Sequence, residues 1–85
     1  MLYHLFQSAR TETDFEDLLR LTFSDHERIR ISERWNILDA LDRGMSQREV
    51  AKSVPCSIAT VTRGAKSYQR NKAIIQLFLA AWRAS

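Results

Sequence analysis

Small hydroxyl residues and arginines cluster in one stretch of the sequence, from Ser46 to about Ser67. Side chains of these types can enter the major groove of DNA, which is about 12 Å wide, and hydrogen-bond to bases or phosphates. The side chains that we expect to face outward are Ser57, Ala59, Thr60, Thr62 and Arg63, with Arg48 and Lys52 on the preceding helix. The alternative is an ordinary helical hairpin whose polar residues face water.

Charge is distributed unevenly along the chain. Residues 43–85 carry eight Lys and Arg residues against one acid, a net charge of +7, whereas residues 1–42 carry five arginines against nine acids, a net charge of −4. Such an asymmetry favours a polyanionic partner for the second half. A solvated basic surface would have the same composition, so it is the position of the charges beside the hydroxyl-rich stretch that favours DNA.

Several classes of site have no support in the sequence. Cys56 is the only cysteine and the two histidines, His4 and His26, have no matching ligands, so we expect neither a disulfide nor a metal site. There is no nucleophile–base set or glycine-rich phosphate loop, so we do not expect an enzyme. No stretch has the ~20 apolar residues of a membrane span, and no signal peptide precedes the chain. We expect a soluble, cytoplasmic protein with no membrane partner.

Helix starts are marked by a Ser or Thr followed three residues later by Glu, at Thr13, Ser24 and Ser46. In such a capping box each side chain satisfies a backbone N–H that the helix leaves unpaired. We predict an all-α fold of six short helices in a single domain, residues 1–85. The predicted ranges are about 2–10, 14–21, 24–42, 47–53, 58 to about 67, and 71–83.

Two of these helices carry apolar residues at the 3.6-residue period. The predicted core positions are Ile31, Trp35, Leu38 and Leu41 in the third helix and Ile74, Ile75, Phe78, Leu79 and Trp82 in the last. A chain of 85 residues buries a small core on its own, so we expect a homodimer that shares its core.

Residues 46–68 are predicted to form a helix-turn-helix. The first helix buries Val50 and Ala51, residues 54–57 turn, and Ser57 caps a second helix whose Ile58 and Val61 face inward. Pro55 requires an extended residue before it. Gly44 is placed to end the preceding long helix because glycine tolerates positive φ.

Two segments, residues 45–49 (MSQRE) and residues 58–64 (IATVTRG), resemble the Trp repressor family. The resemblance extends from Leu2 to about Leu79 and includes residues 18–24, Arg34 and the Arg43-Gly44 pair. It implies an intertwined, all-helical homodimer, bacterial and cytoplasmic, that represses transcription. Operator DNA would be bound only with L-tryptophan as corepressor, which sets the two DNA-reading heads about 34 Å apart.

The resemblance also implies roles for particular residues. Arg63 and Arg34 would sandwich the indole of the amino-acid ligand, which suits planar guanidinium groups, and Gly64 would let the ring approach the backbone. The other ligand-binding positions are Ser67, Ser24, and the backbone of Leu21 and Phe23 from the second subunit. The implied DNA-binding residues are Gln47, Arg48, Lys52, Ser57, Ile58, Ala59, Thr60 and Thr62.

Three of these ligand expectations have alternatives or departures. A glycine inside a helix costs about 1 kcal/mol relative to alanine, and we expect ligand binding rather than packing to explain Gly64. Arg34 could instead form a salt bridge with Glu33 or Asp39. Trp35 stands where the family has a small aliphatic residue lining the ligand pocket.

Two other functions remain open at this point. One is a ligand-independent helix-turn-helix regulator, or the DNA-recognition head of a transposase-like protein, although a bare head would not need three further helices. The other is a helical interaction module with no role on DNA, which a salt titration of DNA binding would separate.

Overall fold

The computed structural model describes residues 1–85 and contains helices and no strand. The helices are α1 (Leu2–Gln7), α2 (Glu12–Thr22), α3 (Asp25–Asp42), α4 (Gln47–Ser53), α5 (Ile58–Arg70) and α6 (Lys72–Ala84). The all-α class and the six helices are therefore confirmed. None of the six combines the length and the apolar character that crossing a membrane requires. The chain forms two compact units, Met1–Ile31 and Ser32–Ser85, and the single domain stays a prediction.

Side-chain caps determine where α2, α3 and α4 begin. Ser24 and Ser46 each accept the backbone N–H of the glutamate three residues later, at 3.1 and 3.2 Å, and each glutamate accepts the serine N–H in return. These two capping boxes are as predicted. The box predicted at Thr13 is wrong, because Thr11 caps α2 by accepting the Asp14 N–H at 3.0 Å. The Asp14 carboxylate also accepts the N–H that precedes this cap, so the reciprocal pair forms two residues earlier.

In the unit of residues 1–31, α1 packs on α2 through Phe6 and Phe15, whose ring centroids lie 5.7 Å apart at 62°. α1 ends at Gln7 rather than at the predicted Arg10. The Ser8 hydroxyl donates to the Leu5 carbonyl at 2.6 Å, which satisfies a carbonyl in the last turn. No residue of α1 or α2 is buried, so the apolar side chains of this unit are uncovered in the single chain.

The unit of residues 32–85 has two clusters of buried residues, and α3 contributes to both. The first cluster consists of Ile37, Ala40, Val50 and Val61, from α3, α4 and α5. The second consists of Leu38, Tyr68, Ile75 and Leu79, from α3, α5 and α6. The partly buried Leu41 packs against both clusters.

The predicted apolar face of α3 is confirmed at Leu38 and Leu41 but is wrong at Ile31 and Trp35, which are exposed. Consecutive helical residues point about 100° apart, so a helix with neighbours on two sides buries adjacent positions rather than one stripe. Ile37 is buried for this reason although it lies outside the predicted stripe.

One carboxylate links α3 to both α5 and α6. Asp42, the last residue of α3, accepts hydrogen bonds from the Gln76 amide at 2.9 Å, the Tyr68 hydroxyl at 2.7 Å and Arg83 Nη1 at 2.8 Å. These bonds, the one from Gln76 first, lower the pKa of Asp42 to about 2. Arg83 also pairs with Asp39 one turn earlier, so its guanidinium fastens α6 to α3 at two carboxylates.

α6 buries one side and exposes the other. Ile75 and Leu79 are buried as predicted, but the other three predicted core residues are exposed because no element of this chain covers them. Together with Leu77 they make up the α6 apolar face: Ile74, Leu77, Phe78 and Trp82.

Candidate nucleic-acid interface

α4 and α5 are held together by two valines at their contact. Val50 of α4 and Val61 of α5 are fully buried and pack in the cluster that includes Ile37 of α3. Burying a valine contributes roughly 1.5–3 kcal/mol, so this contact is strong enough to fix how the two helices lie against α3. Ala51, which we predicted to be buried, is half-buried against the same cluster.

The turn at residues 54–57 has the backbone that its sequence predicts. Val54 is extended, with φ −103° and ψ 120°, as the residue before a proline must be. Ser57 caps α5, since its hydroxyl accepts the Thr60 N–H at 3.2 Å. Cys56 is half-buried here, and burial, with a smaller effect of the Glu33 charge, raises the pKa of its thiol.

The first turn of α5 projects away from the core. Ile58 is 54% exposed, so the prediction that it faces inward with Val61 is wrong. The space next to α3 and α4 is already filled by Val61 and its cluster, which leaves Ile58 in solvent beside the exposed Ala59. An exposed isoleucine at this position is available for contact with a partner.

Three polar side chains follow one another along α5 at intervals of three residues. The hydroxyls of Ser57 and Thr60 lie 2.9 Å apart, and Arg63 Nη2 donates to Thr60 Oγ1 at 3.3 Å. Thr60, which we expected to face outward, is half-buried between these two neighbours, while Ser57 and Arg63 are exposed. The Arg63 guanidinium is thus directed back along α5.

The predicted DNA-binding residues of α4 are all exposed: Gln47, Arg48 and Lys52. One of them is tied to α5, because Thr62 Oγ1 donates to Gln47 Oε1 at 3.0 Å. Beside this bond lies a cleft of about 340 Å³, lined by Gln47, Thr62, Ala65, Lys66, Gln69 and Arg70. None of its lining residues is acidic. Ala65 and Gln69 were not among the predicted site residues, although their spacing from Thr62 places them on the same side of α5.

Gly64 marks the closest approach of α5 to α3. A Cβ atom at this position would lie 2.8 Å from Cγ2 of Ile37, well inside van der Waals contact. Packing alone therefore explains the glycine, and our expectation that only a ligand would explain it is wrong. The sequence signal for this contact was weak, because Ile37 did not belong to the predicted apolar stripe of α3.

Arg34 lies one turn before Ile37 on α3, on the same side of the helix, and is exposed. Asp39, considered above as its partner, pairs instead with Arg43 and with Arg83. Arg34 is therefore close along α3 to the point where Gly64 crosses.

Trp35 points to a different neighbour. Its ring lies edge-on to Phe78 of α6, with centroids 6.3 Å apart and planes at 80°. The indole is thus engaged at the contact of α3 with α6, and not at the crossing of α3 with α5.

The remaining predicted ligand residues lie in the unit of residues 1–31. Leu21 is 80% exposed at the end of α2, and the half-buried Phe23 terminates that helix by donating its N–H to the Leu19 carbonyl. Ser24 caps α3, and its backbone and side-chain hydrogen bonds lower the pKa of Glu27. Ser24 thus has a structural role in helix capping whether or not it meets a ligand.

The family model described as Trp repressor protein matches residues 1–81. The chain belongs to the Trp repressor family. Trp repressors are DNA-binding transcriptional regulators and not enzymes, and the family uses tryptophan as corepressor. No solved structure matches the chain.

The structure divides the ligand positions expected for a Trp repressor between its two units. Arg34, Arg63 and Gly64 lie near the crossing of α5 over α3 in the unit of residues 32–85, and the exposed Ser67 follows one turn later on α5. Leu21, Phe23 and Ser24 belong to the other unit. Tryptophan binding by these seven residues stays a prediction.

Proposed function

We propose that this chain is a transcriptional repressor that binds operator DNA as a homodimer, through a helix-turn-helix formed by α4, the turn at residues 54–57 and α5. L-tryptophan is the proposed corepressor. The observation that carries the proposal is the build of α4 and α5, which bury Val50 and Val61 against α3 and present an exposed, basic and hydroxyl-rich surface.

The exposed residues have the chemistry that DNA recognition requires. Arg48 can bind a base edge through its planar guanidinium, while Lys52 suits a phosphate. The exposed start of α5 adds Ser57, Ile58 and Ala59, which are small enough or apolar enough to approach bases closely. Thr60, half-buried behind them, retains a hydroxyl within reach of a phosphate.

The case for tryptophan rests on the two arginines near the Gly64 crossing. Arg34 and Arg63 are both exposed, so their guanidinium groups are free to stack on an indole and to pair with a carboxylate. Trp35, engaged with Phe78, does not use this side of α3. When bound, tryptophan would add an apolar ring and two opposite charges beside α5, the helix that also carries DNA-binding residues.

The test is selection of duplexes from a random library, followed by titration of the selected duplex with and without L-tryptophan. We expect binding that weakens steeply with salt. Arg48→Ala should cost about 1–3 kcal/mol and relax specificity, whereas Lys52→Ala should weaken all sequences alike. Tryptophan should tighten binding by about 5- to 150-fold.

Arg34→Ala and Arg63→Ala should remove the tryptophan effect and leave binding without tryptophan in place. Arg43→Ala is the matched control, because it removes an exposed arginine of α3 at the other end of the helix. Equal affinity with and without tryptophan would leave the ligand-independent regulator as the function. Binding that does not weaken with salt would exclude a DNA role.

A further inference from the structure

We propose that Thr62 is a positioning residue for DNA binding: it holds the Gln47 amide so that this amide donates to a phosphate oxygen, and it does not itself contact DNA. The inference rests on the proposed DNA-binding function and assigns separate roles to two residues of that surface. Its basis is the side-chain hydrogen bond that joins α4 to α5 across 15 positions of sequence.

The Thr62 hydroxyl is held by its own helix. Oγ1 lies 2.9 Å from the Ile58 carbonyl, four residues earlier, as well as 3.0 Å from Gln47 Oε1. Contact with that carbonyl restricts a threonine side chain in a helix to one rotamer. The hydroxyl therefore has a fixed place from which to hold the Gln47 side chain, which would otherwise be free to rotate at the start of α4.

The bond decides which groups Gln47 can offer to a partner. A glutamine amide has one acceptor oxygen and two N–H donors. Reading adenine uses the oxygen and the NH₂ group together. Because Thr62 engages the oxygen, Gln47 meets its partner mainly as a donor and is suited to an acceptor atom.

The surroundings identify the acceptor as a phosphate. The cleft beside the Gln47–Thr62 bond, about 340 Å³ in volume, is also lined by the cations Lys66 and Arg70 and by no acid. An oxygen that carries negative charge is the acceptor that two neighbouring cations attract most strongly. The DNA backbone supplies such an oxygen at every nucleotide.

The test is a double-mutant cycle on DNA affinity with Thr62→Val, Gln47→Ala and both together. Valine removes the hydroxyl and nearly keeps the shape of threonine. We expect Thr62→Val to weaken binding by roughly three- to tenfold, equally for the selected operator and for unrelated DNA. In the Gln47→Ala background the same change should have no further effect.

Thr62→Ser, which keeps the hydroxyl, should bind within about twofold of the original chain. Thermal unfolding of Thr62→Val should be unchanged, because both partners are exposed. That measurement separates positioning from a loss of folded protein.

Three outcomes would overturn this inference and leave the proposed function standing. An equal loss from Thr62→Val in the Gln47→Ala background would mean that Thr62 itself touches DNA. A loss confined to the operator would mean that Gln47 reads a base. Unchanged binding by Thr62→Val would mean that the bond has no role on DNA. A wild-type chain that binds no DNA would overturn both proposals.

Discussion

At the scale of single residues, the two glycines of the chain are required for two different physical reasons. Gly44 ends α3 with φ at +90°, a conformation that L side chains rarely adopt, and has open space around it. Gly64 has ordinary helical backbone, but a Cβ there would meet Ile37. A single composition signal, a rare glycine, thus corresponds to backbone geometry in one place and to close packing in the other.

Gly64→Ala should destabilise the chain by about 1–3 kcal/mol, the usual cost of overpacking. The added methyl would lie 2.8 Å from a side chain that is itself 1% exposed and has no room to move. This cost exceeds the gain of about 1 kcal/mol that alanine brings to a helix. Urea unfolding measures the difference. In an Ile37→Ala background the cost should shrink or change sign, and an equal cost in both backgrounds would contradict the packing explanation.

At the scale of helices, the hydrogen bonds of Asp42 show how α5 is anchored. Tyr68, on α5, and Gln76 and Arg83, on α6, all donate to this one carboxylate at the end of α3. The anchor lies two turns after the crossing at Gly64, so α3 fixes α5 at two separate points. The end of α5 that carries the proposed DNA contacts is held from its other end.

Stability should fall as the pH is lowered from about 4 towards 2, in part because of Asp42. Its pKa is about 2 in the folded chain against an ordinary value of 3.8, so the unfolded chain binds this proton more readily. The stabilisation is therefore fully present above the ordinary pKa and is lost as the pH falls through the folded value. Asp42→Asn should flatten this part of the dependence of the urea midpoint on pH.

Tyr68→Phe should flatten the same dependence partially, because it removes one of the three donors to Asp42. Tyr3→Phe, which alters an exposed tyrosine of α1, is its matched control. Glu27 and Asp39 also have lowered pKa values, so some pH dependence should remain in every variant. A profile of Asp42→Asn that coincides with the original would contradict the anchoring role.

At the scale of the whole molecule, the apolar surface is larger than one chain covers. The α6 apolar face is exposed on four residues, and α1 and α2 bury none of theirs. A chain of this size with so small a buried core gains stability by covering such faces with a second copy. This supports the homodimer, which a two-fold operator would also require.

We expect sedimentation to show a dimer at micromolar concentration. Leu77→Glu, which places a charge within the α6 apolar face, should shift the chain to monomer and lower its stability together, because the shared core is lost. Ala84→Glu adds the same charge at the exposed end of α6 and should leave the dimer intact. A monomer for the original chain, or a dimer for Leu77→Glu, would contradict the role of this face.

The sequence by itself determined the helices and most of their ends, because those depend on contacts within about four residues. The capping serines Ser24, Ser46 and Ser57, the extended residue before Pro55 and the glycine that ends α3 were all predictable for this reason. The motifs at residues 45–49 and 58–64 also pointed to the family that the chain belongs to.

Only the tertiary structure decided which side of each helix is buried. α3 has neighbours on two sides, so Ile37 is buried and Trp35 is not, and Ile58 is exposed because Val61 already fills the core. The crossing at Gly64, the donors to Asp42 and the Gln47–Thr62 bond join residues 15 to 41 positions apart. No local pattern encodes such pairs, because they depend on how helices that are individually predictable pack on one another.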